Sequence, residues 1–261
     1  MSERSTGGRS TDKPRPVALI TGAARRLGAA IARRLHAEGH DVALHYRDSG
    51  SDAATLAAEL ESRRHGSTVL LQAELTEFDR LPELIAATLG RFGRLDALVN
   101  NASAFFPTLF GNTTPAQWDT LFAANARAPF FLSQAAAPHL RATRGAIVNL
   151  ADVHGERPLA GHAIYGMSKA ALLQMTRALA LELAPDVRVN AVSPGAILWP
   201  ESSDEPMATS DAAKQALLAR TPLARTGTPE EIAEAVAWLL CSATYTTGQV
   251  IRIDGGRTLI D

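Results

Sequence analysis

The chain is short of cysteine, lysine and net charge, and each shortage excludes something. One cysteine, Cys241, in 261 residues rules out a disulfide within the chain and fits a reducing compartment, so a cytoplasmic location is expected. Histidine and cysteine never recur at zinc-ligand spacing. His36 and His40 stand four apart, but Gly39 between them marks a helix end, and a solvated pair is expected there rather than a metal site. The 26 basic residues nearly balance 27 acidic ones, for a formal net charge of −1. That leaves no electrostatic basis for a nucleic-acid or anionic-membrane partner. No apolar run reaches the length of a membrane span. Residues 1–14, MSERSTGGRSTDKP, have neither the apolar segment of a secretory signal nor a core pattern, and a disordered tail is expected.

What is present is a regular alternation of strand and helix signals from Arg15 onward. Short apolar runs at 16–21, 41–46, 68–73, 95–100, 146–151, 187–192 and 248–253 read as seven strands. Helical patterns fill the gaps at 27–37, 53–64, 79–92, 115–140 (interrupted at Pro129), 162–184, 211–220 and 229–240. The composition never shifts and nothing repeats, so residues 15–261 form one domain. Its fold class is α/β: a doubly wound, Rossmann-like parallel sheet of seven strands with helices on both faces. After Pro194-Gly195 the alternation breaks. ILWPESSDEPMATS is rich in Pro, Ser and acid, and the region near 196–220 reads as a substrate lid over the strand ends.

Between the first strand and helix lies Thr21-Gly22-Ala23-Ala24-Arg25-Arg26-Leu27-Gly28. Gly22 permits a tight turn, Gly28 permits close helix packing, and the helix N-terminus offers free N–H groups to a pyrophosphate. The middle position that is often Gly carries Arg26. A dinucleotide site for NAD places an acid at the end of the second strand to accept from the ribose 2′-hydroxyl. Here that strand ends His45-Tyr46-Arg47. Arg47 with Arg25 or Arg26 suits the 2′-phosphate of NADPH through forked hydrogen bonds, although Asp48 is placed to answer Arg47. Glu74-Leu75 follows the third strand, where an acid can accept from an adenine amino group. Asn100-Asn101-Ala102-Ser103 follows the fourth, where the strand order should reverse and the crevice open.

Tyr165 and Lys169 stand one helical turn apart and share a face. An ammonium beside a phenol favours the phenolate, drawing its pKa toward neutrality and making it a usable acid or base. Such spacing arises by chance in roughly 3% of shuffled chains, so it needs context. Asp152, at the end of the preceding strand, supplies some by aiming a carboxyl group at the same region.

Taken together, TGAARRLG at 21–28, NNAS at 100–103, Asn125, YGMSK at 165–169, NAVSPG at 190–195 and DGG at 254–256 resemble the short-chain dehydrogenase/reductase superfamily over essentially all of residues 15–261. The resemblance implies that Tyr165 is the proton donor. Lys169 would bind the nicotinamide ribose and lower the tyrosine pKa, and Asn125 would hold a water in the proton relay. It also implies cofactor contacts from Thr21, Gly22, Arg25, Arg26, Leu27 and Gly28 in the first loop, and from His45, Tyr46, Arg47 and Ser49 after the second strand. Glu74, Leu75, Asn101, Ala102, Ser103, Pro194, Gly195 and Ile197 complete that set.

One position departs from the majority. Asp152 stands where most members carry Ser, thirteen residues before the tyrosine. A serine hydroxyl donates to a substrate carbonyl, whereas a carboxylate only accepts. Asp152 therefore suits a substrate presenting N–H groups, such as a nitrogen heterocycle. The pteridine reductases of the superfamily look like this, and their N-A-S-x-F-x-P-T segment is matched by residues 101–108. That resemblance implies that Phe105 stacks on a pterin opposite the nicotinamide, with Arg26 and Ser103 contacting pterin and cofactor phosphate. Trp199 would close over the substrate from the lid, and a homotetramer is implied. The expected activity is NADPH-dependent reduction of a pterin, dihydropterin or dihydrofolate. A carbonyl reductase of a 3-oxoacyl or other ketone substrate is the alternative, and a non-catalytic NADP-sensing protein a further one.

Overall fold

Along the first strand, β1 (Val17–Ile20), alternate residues enter opposite layers of the core, as the two-residue period of a strand requires. Ala18 and Ile20 pack with α1 (Arg26–Ala37), α2 (Gly50–Arg63) and α8 (Pro229–Cys241) on one face. Leu19 packs with α3 (Leu81–Phe92), α5 (Ala128–Thr143) and α6 (Ala163–Glu182) on the other. All four residues of β1 are at most 1% exposed, which explains an apolar run without polar alternation. This computed structural model describes residues 14–197 and 211–260. The tail expected at 1–14, apart from Pro14, and the 198–210 stretch of the expected lid, including Trp199, lie outside the described residues.

The remaining strands are β2 (Asp41–Tyr46), β3 (Thr68–Gln72), β4 (Ala97–Asn100), β5 (Ala146–Leu150), β6 (Arg188–Pro194) and β7 (Val250–Ile253). They form one parallel sheet of order β3-β2-β1-β4-β5-β6-β7. Chain progress reverses between β1 and β4, so the loops after these strands diverge and open a crevice at the carboxyl edge. A buried polar chain sets the layers behind that edge. Asn100 donates to Asn149 Oδ1 at 2.8 Å, and Asn149 donates to Thr176 Oγ1 at 2.9 Å, joining β4, β5 and α6. Each donor would cost about 1–3 kcal/mol if left buried and unpaired, so this chain favours one register of helix on sheet.

Two sequence expectations need correction. The long region from 115 is not broken at Pro129. It comprises α4 (Pro115–Phe122), a π-helical turn at Ala123–Arg127, and α5, which runs to Thr143. Pro129 lies in the first turn of α5, where a missing N–H costs nothing, and the irregularity falls six residues earlier as a π-bulge. The histidine pair is not solvated either. His36 and His40 are 3% and 7% exposed, and His36 Nε2 lies 2.9 Å from Ser67 Oγ. Arg64 donates to both histidine carbonyls and lies near Asp41, which also receives Arg15. The helix does end where Gly39 marked it, but β2 starts at once and carries His40 inward.

Burial lowers the pKa of His36, His40 and His45. The charges facing His36 are Arg63, Arg64, Asp41 and Glu61, those facing His40 are Asp96, Glu38 and Arg64, and Glu74 faces His45. A lowered folded-state pKa means that stability is complete above the unfolded value of about 6.5 and is lost as pH falls through the folded value. Urea midpoints measured at about pH 8 and pH 5.5 should therefore fall on acidification, and His45→Gln should reduce the difference.

Candidate functional site

The crevice floor is a lock between the loops that follow β1 and β4. Thr21 Oγ1 accepts from the backbone N–H groups of Asn101 and Ala102, both at 2.9 Å. Asn101 returns its side-chain amide to the carbonyls of Thr21 at 2.8 Å and Gly22 at 3.1 Å. His45 braces the same turn from behind: the Gly22 N–H donates to Nδ1 at 3.1 Å, and Nε2 lies 3.1 Å from the Ala73 carbonyl. With Nδ1 accepting, Nε2 carries the proton. Three residues of the expected cofactor set have side chains turned inward. Thr21 and His45 are 2% and 1% exposed, and Leu75 belongs to the core.

The loop is shaped to bring backbone close to a ligand. A Cβ on Gly28 would lie 2.1 Å from the Gly22 carbonyl oxygen and 2.8 Å from Asn101 Nδ2, so only glycine fits. Gly22 has φ +62°, and Arg26, at the start of α1, has φ +52°. The left-handed conformation at Arg26 costs a non-glycine residue about 1–2 kcal/mol, which explains why glycine is common at this position and makes an arginine there costly to keep. Arg26 is exposed and has no ion pair among the described residues. Arg25 lies 3.6 Å from Asp52, and Arg47 lies 2.6 Å from Asp48 and 3.7 Å from Glu74, so Asp48 does answer Arg47. Exposed pairs of this kind are worth about 0–1 kcal/mol, so an anionic ligand can exchange for them. The narrow glycine turn, the α1 N-terminus and three exposed arginines together fit a phosphorylated dinucleotide. Around this loop, Leu27, Tyr46 and Ser49 are partly buried. Across the edge, Pro194 ends β6, Ile197 joins the core, and Gly195 abuts Asp254, whose Cα would lie 2.8 Å from an added Cβ.

The reacting groups gather between β5 and α6. Tyr165 Oη donates to Asp152 Oδ2 at 2.7 Å, and Asp152 Oδ1 accepts the His154 N–H at 2.8 Å. Lys169 is buried, and its Nζ donates to the Leu150 carbonyl at 2.9 Å. The expected Tyr–Lys tuning is reversed here. Burial, and then the negative charge and hydrogen bond of Asp152, push the Tyr165 pKa well above its ordinary value. Nζ sits 5.9 Å from the Tyr165 ring centroid, directed at a carbonyl. Burial brings the lysine itself down to about 8, opposed by the charge of Asp152. The spacing placed both side chains on one face, but the carboxylate captured the hydroxyl.

Phe105 leans on this cluster with its ring edge-on to Tyr165, centroids 4.7 Å apart, and it is 48% exposed. Phe106 packs inward beside Leu121 and Ile164. Asn125 lies in the π-helical turn, and its side chain is fully engaged. It accepts from Ser103 Oγ at 3.0 Å and Ala104 N at 2.8 Å, and donates to the Ala104 carbonyl and to Ser168 Oγ. The Asn125 side chain therefore clamps the loop that carries Phe105.

The enoyl-(acyl carrier protein) reductase family model of this superfamily matches residues 22–258. The chain belongs to the short-chain dehydrogenase/reductase superfamily. It is 39% identical to pteridine reductase 1 of Leishmania tarentolae over 96% of this chain and 99% of that protein. It is 38% identical to the 3-oxoacyl-[acyl-carrier-protein] reductase FabG of Staphylococcus aureus strain Mu50, over 92% and 96% of the two chains. The corresponding FabG of Staphylococcus epidermidis strain RP62A is 36% identical over 92% and 97%. The chain is thus an oxidoreductase of this superfamily, similar to pteridine reductase 1 and to the FabG reductases, and a nicotinamide dinucleotide is the cofactor of its relatives.

Three residues that hold the site together were not singled out in the sequence: Ser168, within the YGMSK stretch, which joins Asn125 to the Tyr165 carbonyl, Asn149, and His162 behind Phe105. Each acts through a contact between segments distant in the chain. The Gly28 contact gives a direct test. Gly28→Ala should destabilise the fold by about 1–3 kcal/mol in denaturant titrations, as overpacking does, and should abolish dinucleotide binding followed by nucleotide fluorescence.

Proposed function

We propose that this reductase uses NADPH to reduce an oxidised or dihydro-pteridine ring, with dihydrofolate as a related substrate, giving the tetrahydro form. One observation carries the reading: the Tyr165 hydroxyl is held by a carboxylate, Asp152, beside a half-exposed aromatic ring. A ketone oxygen needs a donor, and a carboxylate in the serine position offers only acceptors. A pterin presents amino and ring N–H groups that a carboxylate can receive. Its flat, electron-poor bicycle is the shape that a free phenylalanine face accommodates.

NADPH, when bound, supplies the hydride. Tyr165 keeps its proton at working pH because burial and Asp152 disfavour the phenolate, and an acid is what the reductive direction needs. As hydride reaches ring carbon and the C=N bond becomes a single bond, a proton must reach ring nitrogen. Tyr165 releases its proton along its hydrogen bond to Asp152, the carboxyl so protonated passes a proton to the ring nitrogen, and solvent returns one to the phenolate. Lys169 keeps a cation below the pair, fixed by the Leu150 carbonyl. Arg26 and Ser103 border the opening toward pterin and cofactor phosphate. Arg25, Arg26 and Arg47, with no acid on the end of β2, favour the 2′-phosphate of NADPH over NADH.

Two surroundings of the site belong to the same reading. An open groove of about 650 Å³ lined by Phe122, Phe130, Phe131 and Met175 exposes apolar surface between α5 and α6, supporting assembly into a homotetramer. Among the described residues no helix is long and apolar enough to cross a membrane, and a cytoplasmic enzyme with a small-molecule substrate fits. Reduction of a 3-oxoacyl ketone stands as the second reading, because relatives named for that activity are 38% identical.

Tyr165→Phe should lower dihydropterin turnover by roughly 10²–10⁴-fold. Asp152→Ser should lower pterin kcat/KM and raise that for a 3-oxoacyl ketone, followed by NADPH oxidation. If neither value changes in the variant, Asp152 does not select a nitrogen heterocycle and the inference drawn from it fails. For pH dependence, Lys169 is cationic below about 8 and neutral above it. The value of kcat/KM for NADPH should therefore hold below that pH and fall as pH rises through it, and Lys169→Arg should move the alkaline limb upward.

A further inference from the structure

His162 is the N-cap residue of α6, yet its side chain makes no cap hydrogen bond. Ser, Thr, Asp or Asn would serve a helix better there, so the helix does not account for the imidazole. The residue is 3% exposed. Its Nδ1 lies 3.0 Å from the Ala160 carbonyl, so that nitrogen carries the proton, and Nε2 is buried without a hydrogen-bond partner among the described residues. Burying an unpaired ring nitrogen is unfavourable, and leucine would avoid it. What the imidazole does provide is a flat surface. It stacks on Phe105 with centroids 4.8 Å apart and planes 13° from parallel.

The backbone holds that surface firmly. The Thr108 N–H donates to the Gly161 carbonyl at 2.6 Å, and Thr108 and His162 form an isolated parallel bridge that ties the C-terminal end of the Phe105 loop to the start of α6. Asn125 fixes the other side at Ser103 and Ala104. Phe105 is therefore backed on one face by His162 and touched edge-on by Tyr165. With both rings in contact, Phe105 still keeps 48% of its surface exposed.

We propose that His162 is a positioning residue for substrate. Its ring fixes the plane of Phe105, so that the free phenyl face stands ready as a platform for a flat heterocycle beside the Tyr165–Asp152 pair. This rests on the pteridine reading and adds the residue that sets substrate affinity. A preset ring loses no side-chain entropy when the substrate stacks on it, so the effect lies in binding and not in the proton-transfer step. Asp152, Tyr165 and Lys169 make their own hydrogen bonds without His162.

The test uses the full chain with NADP⁺ or NADPH and 7,8-dihydrobiopterin. His162→Leu keeps bulk and removes the flat ring, and His162→Phe restores a ring without the Ala160 hydrogen bond. The leucine variant should weaken dihydrobiopterin binding, by calorimetry in the presence of NADP⁺, and raise its KM, each by roughly 3- to 10-fold. Its kcat, its KM for NADPH and its thermal midpoint should stay near those of the unaltered protein, and the phenylalanine variant should recover pterin affinity. Undiminished affinity in His162→Leu, or no recovery in His162→Phe, would overturn the assignment while leaving the pteridine reading intact. An unaltered protein that neither binds nor reduces dihydrobiopterin would overturn both.

Discussion

The close approach of Gly28 to the Gly22 carbonyl governs this molecule's crevice. With no room for a Cβ, the start of α1 lies against the turn after β1, and Asn101 fills the remaining space with two hydrogen bonds to the same turn. The ends of β1 and β4, which the strand order drives apart, are thereby joined at their base. Everything above depends on that joint: the segment leaving Asn101 continues through Ser103 to Phe105, and Asn125 and His162 pin it to the helices on the other side of the sheet. A rigid base beneath a divergent pair of loops is what a dinucleotide and a second ligand need in order to meet in fixed relation.

A second contest decides the chemistry. Tyr165 can pair with a cation one turn away or with a carboxylate at the end of the neighbouring strand, and the carboxylate holds it at 2.7 Å. Lys169 donates its hydrogen bond to a strand carbonyl. In a buried site each ionisable group must find a partner of suitable character, and once Asp152 and Tyr165 pair, the lysine is left to satisfy itself on the backbone. Burial and the carboxylate disfavour the phenolate, while burial brings the lysine down to about 8, so each group is shifted toward its uncharged form. The carboxylate that raises the tyrosine pKa also stands where a serine would offer a hydroxyl donor, so one residue alters both the proton affinity and the hydrogen-bonding character of the site.

Much of this was legible in order along the chain. The seven strands fell within one or two residues of expectation at most ends, because buried parallel strands leave unbroken apolar runs and glycine or proline marks their limits. The helix irregularity was misplaced from Asn125 to Pro129: proline is a strong local mark, whereas a π-bulge leaves no compositional trace. The His36–His40 pair failed for a related reason, since polar residues at a helix end are usually solvated and only the docking of Arg64 and Ser67 buries them. At the site, Asp152, Tyr165, Lys169, Phe105 and Arg26 were all identifiable, whereas His162 was not. Its role is a stacking contact across 57 residues of chain, and nothing at position 162 itself announces it.

The sequence by itself determined the sheet, the glycine turn and the residue types that meet at its edge, since these follow from hydrophobic periodicity and from chemistry confined to short segments. Only the tertiary structure decided who pairs with whom. Thr21 and His45 brace the turn with buried side chains, Asn125 clamps the loop that carries Phe105, and the tyrosine hydroxyl is bound to aspartate while the lysine turns to a strand carbonyl. The physical reason is that hydrogen bonds and desolvation are settled by distance and burial. Those quantities exist only once segments far apart in the chain have been packed against each other.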